Sequence, residues 1–203
     1  MESTLPLAVG DRSIHRRGYP GGVIQVTEKV AGLNLGSRNR AIDGFLNMDC
    51  DKHEGVDIVG DISDLSRFAD GSIPAIYASH ILEHFPHPRT LNVLKEWFRV
   101  IAPGGKLYVA VPDFERCAEL YSAYGITQWL QDYVSGGHEY PTAKHEAIFD
   151  EAKLSGLLLA AEFSESWRVE QFPFGDENDC SNLVSNLDGE PVSLNLIAIK
   201  AIA

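Results

Sequence analysis

The chain has 203 residues, of which 44% are hydrophobic and 23% charged, and its formal net charge is −12. This length predicts one domain, whose core is large enough to fold without disulfides or metal ions. A strongly acidic surface repels phosphate backbones, so the charge argues against DNA or RNA as a partner.

Cysteine usage and the absence of long apolar runs bear on the compartment. The three cysteines, Cys50, Cys117 and Cys180, are odd in number and far apart, so they do not form a disulfide framework. The sequence has no run of about 18 apolar residues, the length that would predict a membrane span. The first residues lack the basic start and apolar stretch of a signal peptide. We therefore expect a cytoplasmic protein with no membrane span.

Strands alternate with helices along most of the chain. Residues 1–28 carry weak signals, with a strand or a helix start at 23–26, and are treated as an N-terminal extension to a domain spanning 29–203. In that domain, short apolar runs predict strands at 30–35, 45–48, 56–59, 75–78, 106–111, 167–172 and 192–200. Apolar residues at helical spacing predict helices at 90–101, 114–124, 126–134 and 151–163. This alternation predicts an α/β sheet covered on both faces.

Two connections in this pattern carry specific expectations. Pro103, Gly104 and Gly105 are expected to stop the first helix and turn the chain before the next strand. The acidic, polar stretch 175–190 is expected to be a solvated loop.

A glycine turn and an acid frame the first two strands. Gly36 follows the first strand and lets the backbone turn tightly and approach a ligand. Asp49 ends the second strand, where a carboxylate can accept hydrogen bonds from ribose hydroxyls. The arrangement predicts a nucleotide-type cofactor site, although the same pattern also occurs at simple turns.

Five segments in this order resemble a known family. They read LNLGSRN, FLNMD, IVGD, IYASHILEHF and LKEWFRVIAPGGKLYVAVPD. The order resembles class I S-adenosylmethionine-dependent methyltransferases, especially the small methyltransferase-domain proteins encoded among glycan and surface-polysaccharide genes. The resemblance implies a Rossmann-like, seven-stranded, mostly parallel sheet with helices on both faces and an antiparallel last strand.

The resemblance also implies the cofactor, S-adenosyl-L-methionine, and the residues that bind it. Each of these residues follows one of the first four strands. Those implied are Gly36, Ser37 and Arg38 under the methionine part, Asp49 at the ribose, Asp61 and Ile62 at the adenine, and Ser79 and His80 beneath the cofactor.

The chain departs from the family pattern in its glycine loop. Ser37, Arg38 and Asn39 follow Gly36, where the family usually has further glycines. Only 13 positions separate Gly36 from Asp49, which leaves little room for a full helix between the two strands. An alternative is therefore a binding or scaffold protein that keeps the fold with weak or no catalysis.

Residues 80–84 match H-x-x-E-H, a zinc-peptidase signature when it lies on a helix. Here the motif follows a predicted buried strand, so it is expected at a strand end and loop. We therefore expect no bound metal.

The same segment supplies the candidate catalytic residues. His84 is the first candidate base and His80 the second, because imidazole titrates near neutral pH. Glu83 is expected to order His84. His138 and His145, on either side of Tyr140, are each typical of surface histidines, but together they make this loop a candidate substrate wall.

The expected reaction is methyl transfer to an oxygen or nitrogen of a small-molecule or glycan acceptor. Nucleic acid is the least favoured acceptor because of the net charge. The sequence leaves the oligomeric state open.

Overall fold

The computed structural model of the protein describes residues 30–137, 143–174 and 179–202. The predicted extension 1–28, with its candidate element at 23–26, lies outside these residues. The seven strands of the described chain are β1 Gly32–Leu35, β2 Phe45–Asp49, β3 Ile58–Val59, β4 Ile73–Ser79, β5 Ile101–Pro112, β6 Glu165–Arg168 and β7 Ser193–Ile199.

These strands form one sheet in the order β3-β2-β1-β4-β5-β7-β6. Neighbours from β3 to β5 pair in parallel, and β7 is antiparallel to both β5 and β6. The fold class predicted from the sequence is confirmed. Because the chain builds outwards from β1 to β3 and then returns to place β4 on the other side of β1, the strand order reverses between β1 and β4. In open α/β sheets, ligands bind at the carboxyl ends of the strands at such a reversal.

Four α-helices connect and cover the strands: α1 Thr90–Val100, α2 Phe114–Tyr124, α3 Gln128–Ser135 and α4 Glu151–Ala160. Three of them begin at a polar residue whose side chain accepts a backbone N–H of the first turn: Asp113, Thr127 and Asp150. Such caps satisfy donors that have no partner inside the helix. Among the described residues, no helix is long and apolar enough to cross a membrane.

The main core lies between the sheet and helices α1 and α4. Leu94 and Trp97 of α1 and Leu154 and Leu158 of α4 are fully buried in it. The indole Nε1 of Trp97 donates to the carbonyl of Ile62 at 2.9 Å, which ties α1 to the loop after β3. The helical stripes predicted from the sequence therefore contribute to this core.

The other face carries an aromatic cluster. Phe174 packs against Tyr108 with ring centroids 4.6 Å apart and against Tyr77 at 5.2 Å. Phe172 contacts both tyrosines edge to face. The segment after β6 is thereby fixed against β4 and β5.

Three local expectations were wrong or incomplete. The Pro-Gly-Gly segment does not turn the chain before a new strand, because it lies inside β5. Strand pairing jumps there, from Ile73 with Ile101 to Ala75 with Lys106. The strand thus accommodates the segment as an irregularity rather than ending at it.

The helix end at α4 and the stretch 175–190 also differ from expectation. Helix α4 ends at Ala160, and Glu162 beyond it has φ +77°, a left-handed conformation usually taken by glycine. The stretch is not wholly solvated, since Asp179, Ser181 and Ser185 are buried. Asp179 accepts the hydroxyl of Tyr77 on β4 and the backbone N–H of Ser181, and these bonds hold the loop against the sheet.

Candidate functional site

The candidate site lies at the carboxyl ends of β1 to β4. Gly36 follows β1, Asp49 ends β2, Asp61 follows β3, and Ser79 ends β4 directly before His80. Parallel strands deliver these residues to one edge of the sheet because their carboxyl ends point the same way. The sequence placed each of them correctly relative to its strand.

Gly36 allows the loops after β1 and β4 to touch. Its φ is +68°, and a Cβ built on it would lie only 2.0 Å from Cδ1 of Ile81. Its N–H donates to the carbonyl of Met48 at 2.8 Å. The segment from there to β2 has no helix, as its length predicted. The loop is therefore a short turn between the tips of β1, β2 and β4.

Ser37 and Arg38 form the rest of this turn. The Ser37 hydroxyl is buried and has no hydrogen-bond partner among the described residues. An unpartnered buried hydroxyl costs free energy unless a ligand pairs with it. Arg38 has φ +46°, and its backbone N–H donates to Oδ2 of Asp49 at 2.8 Å.

Asp49 is 7% exposed at the tip of β2. Its Oδ1 accepts the backbone N–H of Asp51 at 3.0 Å. Burial raises the pKa of the neighbouring Cys50 to about 11, and the negative charge of Asp49 adds to this effect. A carboxylate offers about four acceptor positions, so Asp49 supports the loop and can still accept from a ligand.

The candidate adenine residues are less enclosed. Asp61 is exposed, and its Oδ1 accepts the backbone N–H of Ser63 at 2.8 Å and its hydroxyl at 2.7 Å. Ile62 is half-buried and packs against the main core. These two residues form a rigid turn at the edge of the site.

Ser79 links the end of β4 to the loop that follows β6. Its hydroxyl donates to Oδ1 of Asp179 at 3.1 Å. Burial and the nearby Asp179 raise the pKa of Tyr77 far above its ordinary value. The sequence offered no sign of Asp179 beyond its place in an acidic stretch, because the contact spans 100 residues of chain.

His80 occupies a strained position directly after β4, with φ +52°. Its Nε2 lies 2.9 Å from the hydroxyl oxygen of Ser193 on β7. Because Ser193 donates its own proton to the carbonyl of Cys180, at 2.9 Å, it accepts from His80. The other ring nitrogen, Nδ1, lies 3.3 Å from Oε1 of Glu83.

Glu83 lies in a 3₁₀ turn, Leu82–His84, and its side chain is fully buried. Neither carboxylate oxygen meets hydrogen-bond geometry with any described residue, although His80 and His145 approach Oε1 at 3.3 Å and 3.9 Å. Burial alone would raise the pKa of Glu83, but the interaction with His80 and the positive charge that His80, His84 and His145 carry when protonated lower it overall. The motif thus lies at a strand end and turn, as predicted, and not on a long helix.

His84 is the more accessible histidine of the motif. Its Nδ1 lies 3.0 Å from the carbonyl oxygen of Lys144, which can only accept, so Nδ1 carries the proton. The lone pair of the neutral ring is then on Nε2. The ring packs edge to face on His145, with centroids 4.9 Å apart.

His145 joins the cluster from the segment before α4. Its backbone N–H donates to the carbonyl of Ser135 at 2.9 Å, and the next two residues donate theirs to the carbonyl of Glu83. Gly136 makes room for the ring, since a Cβ there would lie 2.7 Å from Cδ2 of His145. Burial lowers the pKa of His145, although Glu83 opposes this. His138 and Tyr140, the other residues of the predicted substrate wall, lie outside the described residues.

Comparison with known proteins identifies the domain. A family model described as "Methyltransferase domain" matches residues 21–109. The fold of the chain is that of class I, S-adenosylmethionine-dependent methyltransferases. No curated protein sequence matches the chain.

Solved structures similar to this chain share its fold at low sequence identity. An S-adenosylmethionine-dependent methyltransferase from Methanosarcina mazei aligns with TM-score 0.53 and 18% identity, over 88% of this chain and 96% of its own. A possible histamine N-methyltransferase from Thermotoga maritima aligns with TM-score 0.53 and 17% identity, over 90% and 84%.

A third structure contains the spent cofactor. It is the 1,6-didemethyltoxoflavin-N1-methyltransferase of Burkholderia thailandensis, with 1,6-didemethyltoxoflavin and S-adenosylhomocysteine bound. It aligns with TM-score 0.52 and 15% identity, over 85% of this chain and 72% of its own.

The loop at Gly36 has the chemistry that S-adenosylmethionine requires. The unpartnered hydroxyl of Ser37 and the free acceptor capacity of Asp49 lie beside the tight turn at Gly36. The residues present therefore fit the cofactor of this fold.

Proposed function

We propose that this protein transfers a methyl group from S-adenosylmethionine to a hydroxyl oxygen of a small-molecule or glycan acceptor, with an acceptor nitrogen as the second possibility. The observation that carries the proposal is the position of the Glu83 cluster, which we define as Glu83 with His80, His84 and His145. The Ile81 side chain packs on Gly36, so the cluster begins beside the cofactor loop.

The cofactor side would be held by the residues at the ends of β1 to β4. Gly36, Ser37 and Arg38 would lie under the methionine part, and Asp49 would accept from the ribose. Asp61 and Ile62 would flank the adenine, while Ser79 and His80 would lie beneath the cofactor. The bound cofactor supplies a methyl group on a positively charged sulfur, so the protein contributes mainly proximity and alignment.

On the acceptor side, His84 is the group best placed to contact the acceptor hydroxyl. Its Nδ1 is held by Lys144, which leaves Nε2 unprotonated in the neutral ring. When the acceptor hydroxyl is methylated, Nε2 of His84 would take up the proton that the hydroxyl loses. His80 and Glu83 would orient His84 and stabilise positive charge there.

Two further considerations bear on the acceptor. The preference for glycans rests on the sequence resemblance. Two of the similar proteins, the possible histamine N-methyltransferase and the 1,6-didemethyltoxoflavin-N1-methyltransferase, are named for small nitrogenous molecules, which supports a small acceptor for this chain. The formal net charge of −12 supports neutral or cationic acceptors over nucleic acid.

A labelling experiment tests the proposal. The full chain is incubated with methyl-labelled S-adenosylmethionine and a panel of sugars, hydroxylated metabolites and amines. We expect label in at least one hydroxylated acceptor, and His84→Ala should lower that turnover by about 100-fold or more, the usual contribution of a positioned acid–base group. Cofactor affinity should change little.

The result that would contradict the proposal is also specific. If the chain binds the cofactor but labels no acceptor in the panel, the scaffold alternative replaces it. If His84→Ala loses cofactor binding together with turnover, His84 belongs to the cofactor side.

A further inference from the structure

The Glu83 cluster contains a buried carboxylate that the fold does not neutralise by hydrogen bonds. Glu83 is fully buried, and neither of its oxygens has a donor in hydrogen-bond geometry among the described residues. Burying an ionised carboxylate is costly unless it is paired or coordinates a metal ion. The arrangement therefore calls for a positively charged partner, which His80 supplies only at 3.3 Å and only when its ring is protonated.

Two histidines bring ring nitrogens close to the Glu83 carboxylate. Ligand atoms of Glu83, His84 and His145 all lie within 4.8 Å of one another. Ligand atoms on one ion are roughly 3–3.5 Å apart when metal–ligand distances are about 2.1 Å. Binding would require the side chains to move closer together, and the half-buried His84 has the most room to do so.

The hydrogen-bond partner of His84 sets the protonation state of the ring that metal coordination requires. Metal-bound histidines usually donate their other ring N–H to a carbonyl or carboxylate. His84 does so, because its Nδ1 donates to the carbonyl of Lys144 at 3.0 Å. Its Nε2 lone pair is therefore available to an ion.

The ligands come from two distant segments that the backbone joins at the site. The N–H groups of Glu146 and Ala147 donate to the carbonyl of Glu83 at 2.8 Å and 3.0 Å. The position of His145 relative to Glu83 is thus fixed by two hydrogen bonds next to the ligand itself. The backbone therefore holds the residues of this site together, and the site does not depend on mobile surface side chains.

We propose that Glu83, His84 and His145 bind one divalent transition-metal ion, of which Zn²⁺ is the representative, and that in the metal-bound protein this ion, in place of the His84 lone pair, engages the acceptor hydroxyl. Two imidazoles and one carboxylate favour zinc or manganese over calcium and magnesium. Three protein ligands leave a coordination position open. This role in acceptor activation rests on the proposed function, and it reverses the sequence-based expectation of no bound metal.

Metal binding is tested without any substrate. The full chain, free of any histidine tag, is stripped with a chelator and titrated with Zn²⁺ and separately with Mn²⁺ and Mg²⁺ by calorimetry. We expect one Zn²⁺ per chain. Removing one of three ligands in His145→Ala should weaken the affinity by at least about 100-fold, no less than the loss of an outer-shell partner costs.

The controls separate coordination from folding. His87→Ala removes an exposed histidine three positions after His84 and should leave the affinity within about twofold. Circular dichroism and cofactor binding show whether His145→Ala is folded. The visible absorption of bound Co²⁺ gives a second readout, since its intensity reports the number of ligands directly.

Two results would overturn the proposal: wild-type protein that binds no Zn²⁺ more tightly than a millimolar dissociation constant, or His145→Ala and His84→Ala variants that bind as well as wild type. Failure of the proposed function can be distinguished from failure of the metal site. In that case the ion binds at this site, yet no acceptor is methylated with or without it.

Discussion

Glu83 and Asp113 are two buried acids on neighbouring strand ends, and the fold treats them differently. Asp113 is 2% exposed, accepts two backbone N–H groups at the start of α2, and pairs with Arg168 at 2.7 Å. Glu83 is 0% exposed and receives no hydrogen bond of good geometry from the described residues.

This difference separates two uses of a buried charge. The donors around Asp113 account for its carboxylate, so its role is to begin α2 and hold Arg168. The surroundings of Glu83 leave its charge uncompensated except by histidines, whose charge varies. Buried ionisable groups left in this state are typical of functional sites, although structural networks also produce them.

Neutralising Glu83 is expected to give the largest functional effect. Glu83→Gln should lower methyl transfer by about 100-fold or more. In metal-free protein it should lower the free energy of unfolding less than Asp113→Asn does, because neither oxygen of Glu83 accepts a hydrogen bond of good geometry from the described residues. Turnover and urea unfolding measure the two effects. A loss of stability without a loss of turnover would mean that Glu83 is structural, like Asp113.

Asp49 is an acid between these two cases, because its carboxylate accepts hydrogen bonds from the loop and still has acceptor positions free for a ligand. Asp49→Ala removes a charged acceptor worth about 1.5–3 kcal/mol, so the affinity for S-adenosylhomocysteine should fall roughly 10- to 150-fold. Calorimetry measures it, with Asp51→Ala as an exposed neighbouring control. Unchanged affinity would remove Asp49 from the ribose site.

Asp113 should show the opposite behaviour to Glu83. Asp113→Asn weakens bonds made to a charged group and turns an amide towards Arg168, so we expect a loss of about 1–2 kcal/mol in the free energy of unfolding. Turnover should stay near wild type. The exposed Glu115 provides the matched control, Glu115→Gln. If Asp113→Asn were as stable as wild type, full hydrogen bonding would not distinguish the two acids.

The smallest effect is expected at Glu96, an acid paired near the surface. Arg99 lies 2.8 Å away and holds the pKa of Glu96 below its ordinary value of 4.5, which burial alone would raise. The lowered pKa means that this pairing stabilises the fold above the unfolded-state pKa and is lost as pH falls through the folded-state pKa.

Glu96→Gln should therefore cost less than about 1 kcal/mol at pH 7 and nothing at a pH well below the lowered pKa of Glu96. Urea unfolding at both pH values measures this, with Glu54→Gln as an exposed control. A difference that persists unchanged at low pH would contradict the ionic origin of the effect.

The sequence determined the sheet, the order of its strand ends and the composition of the glycine loop. Apolar runs and helical stripes are local patterns, so they located β2 to within one residue and α2 without error. The same locality placed Gly36, Asp49 and His80 at strand ends. The 13 positions between Gly36 and Asp49 were enough to predict that no helix fits there.

Only the tertiary structure decided how the histidines meet. His145 follows His84 by 61 positions, and no periodicity links them; the backbone bonds from Glu146 and Ala147 to Glu83 bring them together. Asp179 reaches Tyr77 and Ser79 across about half the chain for the same reason. The burial of the Glu83 carboxylate depends on every element packed around this residue. A five-residue motif therefore cannot predict it.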